Sequence, residues 1–243
     1  MFSVARLAAM DREVVIGRRF RGPPNSANGG YASGVIAEGL EGPVTVTLRV
    51  PPPLDRPMSL FSDGDSSRLT RGDVLVGEAR QATLDLDMPV APSLDIAAEA
   101  SRSFAGFSGH IFPGCFVCGP DRQAGDGLLI FPGQLESTDV VASAWVPDET
   151  LRAPNGEIDQ RHVWAALDCP SYFALSGGPL ALLGRLTAEI DRSPEIGEPT
   201  VVIGWPHGAD GRKLYSGAAI ATADGEVIAR ADATWIVVDE LPV

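Results

Sequence analysis

Residues 162–175 read HVWAALDCPSYFAL. Without Asp168 and Pro170 this would be a short, almost wholly apolar segment. An unpaired buried charge is costly. A proline within a helix removes a hydrogen bond and crowds the preceding turn. Two such costs so close together mark either a helix start or a site. A helix that is apolar on nearly all sides must also be covered on nearly all sides, and a sheet curled around it meets that need.

The quoted segment lies within residues 159–194, DQRHVWAALDCPSYFALSGGPLALLGRLTAEIDRSP. The order is a polar lead-in, an apolar helix over 161–176, a Gly-Pro stop and an extended strand. Residues 25–57, NSANGGYASGVIAEGLEGPVTVTLRVPPPLDRP, repeat that order. Asn28 can cap a helix, and Gly29–Gly30 allow close backbone approach at its start. Tyr31, Val35, Ile36 and Leu40 follow at roughly helical spacing, which predicts a helix over 29–40. Gly42–Pro43 ends it, and Val44 to Val50 alternates as a strand does. Gly42–Pro43 recurs as Gly178–Pro179, and Asp55–Arg56 as Asp191–Arg192, at one common offset. GDVLVGEARQAT and GEVIARADAT form a second echo.

Each half therefore reads as one central helix followed by antiparallel strands. Strands are expected at SLFSDGDSS, RGDVLVGEARQATLDLD, PTVVIGWPHG, KLYSGAAIATA and DGEVIARADATWIVVD, with further candidates at Glu13–Gly17, Leu128–Phe131 and Val140–Val146. The fold class is α+β, a double hot dog in which each of two central helices is wrapped by a curved antiparallel sheet. The expected organisation is a first repeat over 1–92, a linker over 93–110 with a short helix at Leu94–Ala100, and a second repeat over 111–243.

The formal net charge of −13 disfavours a phosphate-backbone partner, so no nucleic acid is expected. The arginine cluster Arg18, Arg19 and Arg21 reads either as charged surface or as a local phosphate contact. No run of ~18 apolar residues is present, so no membrane span is expected. The opening MFSVARLAAMDREVV breaks the apolar stretch that a signal peptide needs. Three cysteines do not suggest a disulfide scaffold, and a reducing cytoplasm fits them. Asp63, Asp65 and Asp73 lack calcium-loop spacing, and Gly29–Gly34 do not follow the Gly-x-Gly-x-x-Gly order.

The stretches CFVCGPDRQAGDGLLI (115–130), ASAWVP (142–147) and HVWAALD (162–168) resemble thioesterases of the phenylacetate-pathway hot dog type. NGGYASGVIAEGL (28–40) resembles the helix start of the tandem, acyl-CoA thioesterase II-like proteins. In the phenylacetate-type enzymes a His-Gly-Gly triplet opens the helix, and an acid lies nine residues after its His. Asp168 matches that acid, while the triplet position above it is Asp159-Gln160-Arg161. In the first half the triplet position is Asn28-Gly29-Gly30, and the acid position is Ala37, with Glu38 adjacent. Each half keeps what the other lacks. If the helices run antiparallel, as the resemblance implies, Asp168 faces the Asn28-Gly29-Gly30 turn in one composite site.

The resemblance implies hydrolysis of an acyl-CoA thioester, a small-molecule substrate, with no cofactor and no metal. Asp168 would act as base or nucleophile. The Gly30 N–H would receive the thioester oxygen at a positive helix end, and Asn28 would bond the same carbonyl or fix the turn. Gly29, Tyr31, Trp164 and Tyr172 are candidates for the substrate pocket. Asp168 can equally be a cap for a helix restarted with Pro170 in its first turn. In that case the chain is a non-catalytic binder of acyl groups or other hydrophobic ligands. A hot dog hydratase would need an Asp-plus-His pair that is not found. Cys115 and Cys118 supply half of a zinc site, with His110 and Cys169 as further soft ligands. Gly114, Gly119 and Pro120 bracket the pair and favour a tight loop. Self-association into a homo-oligomer is expected where sheet edges or outer faces remain to be covered.

Overall fold

The structure, a computed structural model, describes residues 10–175 and 179–241. The opening residues 1–9 and Gly178 of the expected Gly-Pro stop lie outside the described residues. The first half runs β1 (Met10–Val15), α1 (Gly29–Ala37), β2 (Val44–Leu48), β3 (Pro57–Ser62), β4 (Ser66–Arg71) and β5 (Val74–Gln81). A connecting helix, α2 (Leu94–Arg102), follows. The second half holds β6 (Gly133–Gln134), β7 (Val141–Trp145), α3 (Gln160–Phe173), β8 (Ala181–Ile190), β9 (Thr200–Asp210), β10 (Lys213–Thr222) and β11 (Val227–Val237).

The alternating β-branched runs pair into one antiparallel sheet, ordered β1-β3-β4-β5-β2-β8-β11-β10-β9-β7-β6. The halves join at β2 and β8, where Val44 lies opposite Ala188 and Val46 opposite Leu186. These four side chains are buried in the core. On the other face, Thr45 and Thr187 share a hydrogen bond of 2.8 Å. The period of two thus assigns one face to the helices.

Several elements differ from expectation. α1 stops at Ala37, because Glu38 leaves helical geometry and Gly39 takes φ +82°. SLFSDGDSS is a hairpin rather than one strand: Asp63 accepts the backbone N–H groups of Asp65 (3.1 Å) and Ser66 (2.8 Å) and so builds the turn. Leu128–Phe131 is not a strand, since the Leu128 and Ile130 N–H groups bond to Phe116 and Val117 carbonyls in the cysteine loop. The segment between the halves holds the expected short helix, and that helix also covers the sheet. Ala97 and Ala100 of α2 pack with Ala142, Val201, Ile203, Trp205 and Ala219 on the outer face of β7, β9 and β10. β9 is therefore covered on both sides, with Val202 in the main core and its neighbours Val201 and Ile203 beneath α2.

The two central helices pack antiparallel, with Gly30 against Ala165 and Asp168, and Gly34 against Arg161 and Trp164. A Cβ at Gly34 would lie 2.8 Å from the Arg161 Cα and 3.1 Å from the Trp164 Cβ. Gly34→Ala should therefore wedge the helices apart and cost about 1–3 kcal/mol, lowering Tm by roughly 2–12 °C. Gly17→Ala, with open space at the Cβ position, should leave Tm unchanged. Differential scanning calorimetry of the two variants checks this.

Candidate active site

α3 is continuous through Asp168 and Pro170, so Asp168 does not restart a helix. The cap of α3 is Asp159, which accepts the Arg161 N–H at 3.0 Å. The region around Pro170 is held from outside instead. Ser171 Oγ donates to the Asp168 carbonyl at 2.6 Å, and Trp235 Nε1 donates to Ser171 Oγ at 3.1 Å. Gly204 lets the Pro170 carbonyl lie directly against β9, where any Cβ would clash.

Asp168 instead reaches the start of α1. Its Oδ2 accepts the Gly30 N–H at 2.8 Å and Asn28 Nδ2 at 2.6 Å. Asn28 is itself fixed, because its Oδ1 accepts the Tyr31 N–H at 2.9 Å as the cap of α1. Asp168 is 2% exposed, and its Oδ1 has no hydrogen-bond partner. Burial pushes its carboxyl up to about 7, against the pull of the Gly30 N–H and Asn28. The Gly30 N–H and the Asn28 amide are both engaged by the carboxylate, so they hold Asp168 rather than standing free for a thioester oxygen.

Asp168, Asn28 and Gly29 line a cavity of about 530 Å³ between the halves. Its walls are mostly apolar and include Tyr172, Phe173, Leu183 and Trp235. This volume falls in the range of small-molecule sites. Two expected pocket residues are elsewhere. Tyr31 stacks on Phe20 at 4.0 Å, and Trp164 is buried core beside Gly34. Neither lines the cavity.

The Tyr31 ring packs in a separate aromatic cluster. It comprises Phe20, Tyr31, Phe116 and His162, with the Arg161 guanidinium over Tyr31 at 5.9 Å. The first-half acid position, Ala37, is buried in the core. The arginine cluster is also engaged within the fold. Arg18 pairs with Asp55, and Arg19 donates to Gly125 and Asp126 carbonyls and to Thr150.

Cys115, Cys118 and Cys169 converge with their sulfurs within 4.8 Å of one another. Hydrogen bonds from Cys118 and Cys169 push the Cys115 thiol well below its usual range. The spacing of the Cys-x-x-Cys pair was visible in the sequence. Of the two further soft ligands that the sequence offered, His110 and Cys169, the structure brings the Cys169 sulfur into the group.

No protein-family model matches the sequence, and no curated protein matches it. Solved structures do. The tesB protein of Mycobacterium avium subsp. paratuberculosis is similar at TM-score 0.60 and 15% identity, over 93% of this chain and 92% of that one. A conserved protein of unknown function with hot dog fold from Alicyclobacillus acidocaldarius is similar at TM-score 0.60 and 12% identity, over 100% and 96%. This is a double hot dog protein. An acyl-CoA thioesterase II of Mycobacterium marinum is similar at TM-score 0.57 and 11% identity, over 96% and 93%. Among the described residues, no helix of the double hot dog protein is long and apolar enough to cross a membrane.

Two predictions follow from the burial of charge. Asp168→Asn keeps an acceptor for Gly30 and Asn28 but removes a buried, half-satisfied carboxylate. It should raise stability by about 1–2 kcal/mol, read as a higher urea midpoint at pH 8. His162, buried against aromatic rings, is pushed down to about 4, from about 6.5 in an unfolded chain. Its folded pKa is depressed, so the neutral ring's contribution is complete above pH 6.5 and falls as pH drops toward 4. The loss from this group is roughly 3 kcal/mol. His162→Phe should flatten the fall in urea midpoint across that window.

Proposed function

We propose that the protein hydrolyses an acyl-CoA thioester at one composite site between its repeats. The observation that carries this reading is the buried Asp168 carboxylate. One oxygen is clamped to the first turn of α1, the other is unpartnered, and the residue lines an apolar cavity. In this mechanism Asp168 takes a proton from a water molecule as that water attacks the thioester carbonyl. The C–S bond breaks, and the proton returns to the leaving thiolate, giving a carboxylic acid and a free thiol. Asn28 and Gly30 are positioning residues: they fix the carboxylate without touching substrate. Tyr172 and the apolar walls accept the acyl group.

A second reading has a specific support. The helix-end N–H group that would stabilise an oxyanion is already engaged by Asp168, so the same cavity also suits a non-catalytic binder of acyl groups. Hydrolysis of an acyl-CoA panel, followed by chromatography of the released coenzyme, separates the two. Catalysis requires turnover that Asp168→Asn lowers by roughly 10²–10⁴-fold, the contribution of a positioned base. Ala37→Asp restores an acid at the first-half position without the turn that would hold it and should not rescue Asp168→Asn. Saturable acyl-CoA binding without turnover would establish the binder, and full activity in Asp168→Asn would remove the composite site.

A further inference from the structure

We propose that Cys115, Cys118 and Cys169 form a thiolate site for one zinc ion, whose fourth position is reached from the cavity that Asp168 lines. The inference is independent of whether the protein hydrolyses thioesters.

The distances fit the ion. With Zn–S near 2.3 Å, tetrahedral geometry places two sulfurs about 3.8 Å apart. The Cys115 and Cys169 sulfurs are 3.7 Å apart, and all three lie within 4.8 Å of one another. The residues come from two separate elements: Cys115 and Cys118 from the loop before β6, and Cys169 from α3. All three side chains are buried and unbridged by disulfides. Three soft thiolates select zinc over harder divalent ions.

The loop is built to present sulfur. The backbone N–H groups of Val117 and Cys118 are directed at Cys115 Sγ. The Gly119 N–H donates to the Cys115 carbonyl at 3.0 Å, closing the turn. A Cβ at Gly119 would lie 2.5 Å from the Cys115 and Pro113 carbonyl oxygens, so the turn requires glycine. The buried Arg122 then fixes the loop, donating to the Gly114 carbonyl (2.9 Å), the Arg19 carbonyl (2.7 Å) and Asp126 (2.8 Å).

His110 is not the fourth ligand. Its Nδ1 accepts the Phe112 N–H at 2.8 Å, so the ring proton sits on Nε2, which lies 3.2 Å from Cys118 Sγ. In that tautomer Nε2 donates to the sulfur and has no lone pair for a metal. His110 supports the Cys118 thiolate from outside the coordination sphere. The cavity lies beside the three cysteines and leaves the fourth position to water or to a ligand atom.

The test is made on the full chain, without a polyhistidine tag and purified without chelators. Elemental analysis should find one zinc per chain. After removal of the zinc, titration with Co²⁺ should give a sulfur-to-cobalt charge-transfer band in the near ultraviolet and strong tetrahedral visible bands. Cys115→Ser and Cys169→Ser should each abolish stoichiometric zinc. His110→Ala should keep the stoichiometry and weaken affinity by about 10–100-fold. Substoichiometric zinc in the wild-type protein, together with no charge-transfer band on adding Co²⁺, overturns the proposal without reference to any variant. So does an unchanged cobalt spectrum in Cys169→Ser, or loss of zinc stoichiometry in His110→Ala with an unchanged near-ultraviolet circular dichroism spectrum.

Discussion

The close approach of α1 to α3 is the constraint from which the rest of the structure follows. Gly30 and Gly34, one turn apart, present backbone instead of side chains to Arg161, Trp164, Ala165 and Asp168. At that separation the Asp168 carboxylate reaches the Gly30 N–H directly. A buried carboxylate is tolerable only where donors face it. The first turn of α1 offers unpaired N–H groups and a positive helix end. The glycines that let the helices touch also supply the donors that make the buried charge possible. The same contact fixes where β2 and β8 meet, because each strand follows its helix through a short connection and must cover it.

The two halves repeat in backbone and diverge in chemistry. Asn28 and Asp159 occupy matching cap positions at the starts of α1 and α3. Asn28 has an amide left over to donate across to Asp168. Asp159 has only acceptors, and these are taken by the backbone and guanidinium of Arg161. A second carboxylate at position 37 would therefore face an acidic cap. The chain has alanine there, buried in the core, and the cavity lies beside Asp168.

The sequence carried the repeat and the two central helices, because these rest on local spacing, whereas the facing of Asp168 and the Asn28-Gly29-Gly30 turn came from the family resemblance. Pocket walls were legible only in part. Tyr31 and Trp164 share the apolar character of Tyr172, and a periodicity cannot tell which side of a helix pair lines a cavity. The cover formed by α2 was hidden for a related reason. Alanine-rich segments such as 97–100 look weakly patterned, yet small side chains suit the close packing of a helix on a sheet face. Leu128–Phe131 has strand composition, but its hydrogen bonds go to the cysteine loop, and that choice depends on contacts far along the chain.

Three thiols and a carboxylate share one apolar cavity in a strongly acidic protein, and their electrostatics are linked. An uncompensated thiolate at Cys115 raises the cost of ionising Asp168, and Asp168 in turn opposes ionisation of Cys118. The α1 terminus compensates the carboxylate, while the loop N–H groups compensate only one sulfur. Neutral thiols remove the conflict at the expense of a site with little charge to act on a substrate. A divalent cation among the sulfurs would balance two of three thiolate charges and leave a single net negative charge beside Asp168. The donors of α1 thus satisfy one oxygen of Asp168 and leave the other facing the cavity, while the loop N–H groups serve one of the three sulfurs.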